Sequence, residues 1–200
     1  MAVSVGSRQE ERSRATRQRL LDATVDCLIE LGWSGMTTTV VCERAGVSRG
    51  AQLHHYPTKA ELVTAAVEHL IARRGEELRT DAAAPTGDRV GHTIDRLAAI
   101  FTGPLFVASL EVWVAARTHA DLRAALVPME ARIGRELHRL TVELLGIDES
   151  TPGAREIVQV TLDLMRGLGL ASLLTDDTAR RTQLLREWKR QLRAIIGVRS

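Results

Sequence analysis

Two hundred residues and 22.0 kDa are enough for one sizeable domain, or for a small module joined to a larger one. A composition of 44% hydrophobic and 26% charged residues is that of an ordinary globular chain, and its longest apolar runs are too short to span a bilayer. The net charge of +2 singles out no partner, although residues 1–60 hold eight Lys/Arg against six Asp/Glu and so carry the whole excess.

The opening Met-Ala-Val-Ser-Val-Gly-Ser turns directly into an Arg-rich run and lacks the apolar stretch of a secretory signal. Cys27 and Cys42, the two cysteines, exclude a disulfide framework and a four-cysteine zinc site; their apolar-periodic surroundings suit reduced, packed thiols. The expectation is a soluble, cytoplasmic chain without membrane contact. With 3% aromatic residues, it has no rows of rings on which to stack single strands.

Apolar residues recur at helical spacing along nearly the whole chain. Residues 1–12 read as a flexible arm, its Arg8 and Arg12 diluted by Glu10 and Glu11. Leu20, Leu21, Thr24, Val25, Leu28 and Leu31 make a helical stripe from about Ser13, ended by Gly32. Thr37-Thr38-Thr39 opens a short helix through Ala45, stopped by Gly46, and Ser48 can cap a second one over Arg49–Tyr56, stopped by Pro57. Thr58-Lys59-Ala60-Glu61 has capping-box spacing and starts a longer helix to about Arg79. Thr80–Gly87 reads as a mobile connection. Helices are predicted near 88–102, 104–118, 121–146, 153–175 and 177–197, with Pro128 expected to kink or split the third of these. No stretch after residue 46 alternates with a period of two, and the fold class is all-α.

The sharpest local pattern lies over residues 38–56. Two short helices joined by Ala45-Gly46-Val47-Ser48 form a helix-turn-helix, whose second helix fits a major groove about 12 Å wide. Gly50 and Ala51 are small enough for close approach; Arg49, Gln52, His54 and His55 offer donors and acceptors; Tyr56 and Lys59 follow where phosphates would pass.

Gly32-Trp33 through Thr37-Thr38, Glu43-Arg44-Ala45-Gly46-Val47-Ser48-Arg49-Gly50-Ala51, and His54-His55-Tyr56-Pro57-Thr58-Lys59 resemble the TetR family of bacterial transcriptional regulators, closely over residues 14–65. The resemblance implies a nine-helix subunit, with a helix-turn-helix DNA-binding domain over 13–58 and a helical ligand-binding and dimerisation domain over 59–200. It implies a homodimer on a roughly palindromic double-stranded operator, released when a small molecule enters the body. It assigns backbone contacts to Thr38, Ser48, Tyr56 and Lys59, and groove-facing positions to Thr39, Arg49, Gly50, Ala51, Gln52, His54 and His55. Many members carry leucine then tyrosine where this chain has Gln52 and Leu53, so the usual tyrosine contact is absent and Leu53 is expected to pack inward.

Other chemistries fit less well. Adjacent histidines point to different faces of a helix, so His54 and His55 do not make a metal site. Gly46-Val47-Ser48-Arg49-Gly50 matches the elbow of serine hydrolases, but the parallel sheet such a serine needs is missing from a helical pattern. Neither an enzyme nor a cofactor is expected.

In the second half, Ile157–Leu174 is apolar on nearly all sides, which predicts a helix covered on every side. Met165, Leu168 and Leu173, with Leu185, Trp188 and Leu192 on the next stripe, are the candidates for a four-helix dimer interface. Phe101, Phe106, Leu110, Trp113, Met129 and Ile133 can line an apolar pocket, with Glu111, Arg117 and His119 as its polar groups; such a stripe also serves as plain core. The reading is a dimeric repressor released by a small, largely apolar ligand. A regulator governed by a protein partner is the alternative, and a helical hydrolase using Ser48 a distant third.

Overall fold

The structure is a computed structural model that describes residues 5–82 and 87–197, the side chains of residues 5–7 and 73–82 excepted. Those residues form helices α1 (Val5–Gly35), α2 (Thr38–Ala45), α3 (Arg49–His55), α4 (Lys59–Ala82), α5 (Arg89–Thr102), α6 (Pro104–Ala116), α7 (Ala120–Leu145), α8 (Ala154–Ala171) and α9 (Thr178–Ile195). There is no strand among them, and no single helix is long and apolar enough to cross a membrane.

The helix expected from Ser13 begins two turns earlier. From Val5 the arm is helical rather than irregular, because Arg, Gln and Glu are good helix formers and neither proline nor a second glycine follows Gly6 before Gly32. Residues 1–4 of that arm lie outside the described residues. Of the connection over Thr80–Gly87, residues up to Ala82 belong to α4, and 83–86 lie outside the description. Pro128 does not split α7, which runs unbroken through it.

The chain divides into two compact units, one comprising residues up to Glu76 with Ala108–Glu130, the other Glu77–Val107 with the residues from Ala131 onward. In the first, α1 packs on α2 and α3 around Leu20, Leu28, Cys27, Met36 and Val41, all essentially sealed from solvent. Burial pushes both the Cys27 and the Cys42 thiols up, which keeps them protonated and inert.

In the second unit α5 packs against α8 and α9. Ile94, Leu97, Val158, Leu162, Met165 and Leu192 fill this core. Asp88 caps α5 by accepting from the Gly91 N–H at 3.0 Å and also pairs with Arg193 of α9. Arg193 first, and the Gly91 N–H second, hold the Asp88 carboxyl below its ordinary range. Lys189 ties the same two helices through Asp95 at 2.6 Å.

At Gly169, α8 lies tight against the end of α5. A Cβ on Gly169 would collide with the Phe101 carbonyl oxygen and would stand 2.7 Å from the edge of the Phe106 ring. Phe101 and Phe106 meet edge to face at 5.2 Å beside it. Gly169→Ala is therefore expected to cost about 1–3 kcal/mol of unfolding free energy in denaturant titration. Gly134→Ala, in α7 where nothing lies within 4 Å of the new methyl, is expected to be neutral or to stabilise by up to about 1 kcal/mol.

Candidate nucleic-acid interface

The turn between α2 and α3 is set by backbone chemistry. Thr37 caps α2 by accepting from the Val40 N–H at 3.2 Å. Gly46 ends it at φ 62°, a left-handed conformation that glycine enters without a Cβ penalty. The Gly46 N–H then donates to the Glu43 carbonyl at 3.2 Å and the Val47 N–H to the Cys42 carbonyl at 3.1 Å, closing the helix end. Ser48 starts α3 by accepting from the Ala51 N–H at 3.2 Å.

This geometry turns the amino end of α3 outward. Ser48, Arg49, Gly50 and His54 are exposed, as is Thr39 on α2. Arg49 Nη1 donates to Thr39 Oγ1 at 3.2 Å, so the two polar residues share one surface and the guanidinium is partly oriented before any ligand arrives. Thr38, Ala51, His55 and Tyr56 are half-buried at its margin.

Two expectations reverse here. Gln52 is 1% exposed and points into the domain, where its Nε2 donates to the Tyr56 carbonyl at 2.5 Å; Leu53, expected to pack inward, is 47% exposed. Gln52 is thereby removed from the exposed side of α3, and the apolar Leu53 stands there instead. The helical phase fixed by the Ser48 cap places position 52 beneath the helix whatever its polarity.

Residues from α1 extend the face in a way the arm reading missed. Gln9, Arg12, Arg14 and Arg17 line a depression of about 610 Å³ together with Ala51, His54 and His55. Desolvation, followed by the neighbouring His54 and Arg17, pulls the His55 imidazole below its ordinary range. Burial raises the Tyr56 phenol, with Arg17 opposing. The signal was present as arginines spaced two to three apart at 12, 14 and 17, but it becomes legible only once α1 is known to continue through them.

Lys59 is half-buried rather than free. Its Nζ donates to the Trp33 carbonyl at 2.6 Å and sits 4.1 Å from the centre of the Trp33 ring, a cation–π contact. Burial pulls this ammonium below the ordinary lysine range. Gly32, at φ 65°, breaks the helical ladder and frees the Trp33 N–H, which donates to Glu111 Oε2 of α6 at 2.8 Å.

The family described as bacterial regulatory proteins, tetR family, matches residues 20–66, the stretch that holds this whole turn. The regulator CymR of Pseudomonas putida is 33% identical over 180 residues, covering 86% of this chain and 86% of its own. This chain belongs to the TetR family. It is a helix-turn-helix transcriptional regulator and not an enzyme. Among solved structures, a TetR regulator of Haloarcula marismortui superposes with a TM-score of 0.69 at 21% identity, covering 91% of this chain and 96% of its own. FadR of Bacillus subtilis, solved in complex with stearoyl-CoA, superposes at 0.66 with 16% identity, covering 88% and 96%.

Within this TetR-family fold, the remaining predicted sites come together only in part. Trp113 and Arg117 line one open cleft of about 540 Å³ with Leu126 and Glu130. Glu111 is engaged with Trp33, while His119 meets the Trp33 ring edge-on at 6.0 Å. Met129 is core and Leu110 is half-buried. Phe101, Phe106 and Ile133 belong to the other unit, and the first two are taken up around Gly169.

The interface set needs a larger correction. Met165, Leu168, Leu185 and Leu192 are buried within their own chain, because the α5-facing side of α8 and α9 is the core. Leu173 is exposed and Trp188 half-buried. The uncovered side of α8 carries Val160, Gly167, Ala171 and, just beyond its end, Leu174, which is 95% exposed; α9 adds Leu184 and Ile195.

Two substitutions separate the inward and outward sides of α3. Gln52→Ala is expected to lower the unfolding free energy by about 1–3 kcal/mol in denaturant titration, without altering the order of preference among duplexes. Arg49→Ala is expected to leave stability nearly unchanged and to cost about 1–3 kcal/mol of duplex binding, with relaxed base preference in selection from a random pool.

Proposed function

We propose that this TetR-family regulator is a homodimeric repressor that grips a palindromic operator through α3 and is released by a small, largely apolar ligand. The observation that carries the reading is the outward amino end of α3, with Arg49, Gly50, Leu53 and His54 uncovered and Arg49 held by Thr39. Groove contacts fall to Thr39, Arg49, Gly50, Ala51, Leu53 and His54; phosphate contacts fall to Thr38, Ser48, His55 and Tyr56, with Arg12 and Arg17 beside them. Lys59 acts from within, bracing Trp33 and the start of α4.

The exposed apolar face of α8 and α9 supports the dimer. Val160, Gly167, Ala171 and Leu174 recur at helical spacing on one side, and the two glycine- and alanine-bearing turns permit close helix approach. Packing that face against a second copy gives a four-helix bundle across a two-fold axis and sets two reading helices for two half-sites.

Release requires a ligand that prefers the arrangement in which the two reading helices are misplaced. The Trp113–Arg117 cleft supports a small-molecule effector over a protein partner, as does the stearoyl-CoA bound by the structural relative FadR. α6 is the transmitting element in this scheme. It carries the cleft residues Trp113 and Arg117 and, through Glu111, holds the Trp33 amide that Lys59 braces from the other side.

Selection of bound duplexes from a random pool is expected to enrich an inverted repeat whose half-sites lie about one helical turn, or a multiple of it, apart. Enrichment of a single unrepeated motif, or of none, overturns the dimeric-operator reading. Leu174→Asp is expected to give monomers by light scattering with an unchanged helical circular dichroism spectrum, whereas an intact dimer removes that face from the interface.

A further inference from the structure

We infer that Leu53 reads a thymine, through the C5-methyl group of that base, about two base steps from the base that Arg49 reads. The inference rests on the operator-binding reading above and adds to it one base and the residue that selects it. Lone apolar side chains are common on protein surfaces, so the 47% exposure of Leu53 decides nothing by itself; its place on α3 does. Arg49 and Leu53 stand four residues apart in one helix, which puts them on one face with their Cβ atoms about 5–6 Å apart. Along a duplex that rises about 3.4 Å per base pair, that separation is about two steps.

The residues before Leu53 leave it bare. A helical side chain leans toward the amino end, over the positions three and four residues earlier, which here are Gly50 and Arg49. A Cβ on Gly50 would find only Ser48 Oγ, at 4.0 Å, and Gly50 has no positive φ, so neither packing nor backbone conformation requires a glycine. Glycine weakens a helix relative to alanine, yet at this place it leaves the Leu53 isobutyl group open on its amino-terminal side. Arg49, whose long side chain could cover the gap, is turned to Thr39 Oγ1 at 3.2 Å instead.

Of the groups that base edges present in the major groove, the thymine methyl is the apolar one; the others are hydrogen-bond donors or acceptors. An isobutyl group pressed on a purine N7, a carbonyl oxygen or an amino group strips its water and returns no hydrogen bond, which is unfavourable. Pressed on the methyl, it removes apolar surface from water on both sides. Leucine at this position therefore selects thymine twice over, by attraction to the methyl and by the penalty it imposes at the other bases.

Fluorescence anisotropy of the duplex enriched from a random pool, against the same duplex with deoxyuridine in place of each thymine in turn, tests this on the full-length chain. One thymine per half-site is expected to lose about fourfold in affinity on replacement, the factor for burying one methyl-sized group, and to lie about two steps from the base whose preference Arg49→Ala relaxes. Leu53→Ser is expected to bind the thymine and deoxyuridine forms alike, at the level of the weaker, with an unchanged helical circular dichroism spectrum. Gly50→Ala is expected to melt at the same or a higher temperature and to bind the thymine form more weakly. Indifference to every deoxyuridine, a loss of equal size in Leu53→Ser, which would belong to the duplex alone, or undiminished binding by Gly50→Ala overturns the inference. The enrichment step keeps the two readings apart. A pool that yields no duplex sinks the operator-binding reading and this one with it, whereas an enriched duplex indifferent to deoxyuridine sinks the thymine contact alone.

Discussion

A single backbone conformation aims the interface. With Gly46 held at a positive φ, the chain leaves α2 in a direction no β-carbon residue reaches cheaply, and the two carbonyls at the end of α2 are satisfied by the turn itself. Ser48 can then cap α3 immediately, fixing the helical phase of its seven residues. Everything that follows on the face, from the Arg49–Thr39 bond to the burial of Gln52, is a consequence of that phase. Replacing the turn by one residue more or less would rotate α3 by about 100° and exchange its buried and exposed sides.

The same phase explains what the sequence could and could not disclose. The order, number and approximate ends of the helices followed from glycines, prolines and caps: Thr58 and Glu61 do exchange their two bonds, at 3.3 and 3.1 Å, as the capping-box spacing requires. The orientation of α3 did not follow, because seven residues span only two turns and give no period to measure. A polar Gln52 beside an apolar Leu53 invites the opposite assignment, and tertiary packing overrules it. Its Nε2 finds the Tyr56 carbonyl, so the amide is brought inside with one of its bonds made locally.

α8 shows a different source of ambiguity. Being apolar on nearly all sides, its sequence states that two surfaces must be covered but not which residues meet which surface. The α5 core claims Val158, Leu162, Met165 and Leu168, and the side that is left over bears Val160, Gly167, Ala171 and Leu174. Size alone does not separate these sets, since leucines stand in both. The deciding feature is the notch at Gly169, where α8 must lie against the Phe101 carbonyl; that contact sets the rotation of the helix and hence the residues that remain outside.

Trp33 is the place where the reading module and α6 are joined in one unit, and little in the residue pattern points to it. Its amide is freed by the break at Gly32 and taken by Glu111, seventy-eight residues away, while its carbonyl and ring hold Lys59. The Lys59 bond is the part-buried one of the two, so its loss costs more than that of the exposed Glu111 bond. Drawing Lys59 below its ordinary range is the measure of that desolvation: the ammonium is retained by its contacts with Trp33 rather than by water. In the ligand-released scheme proposed above, a displacement of α6 would be felt at the Trp33 backbone through Glu111. By reciprocity, in that same scheme, duplex binding that favoured one position of α6 would weaken ligand binding by the same free energy.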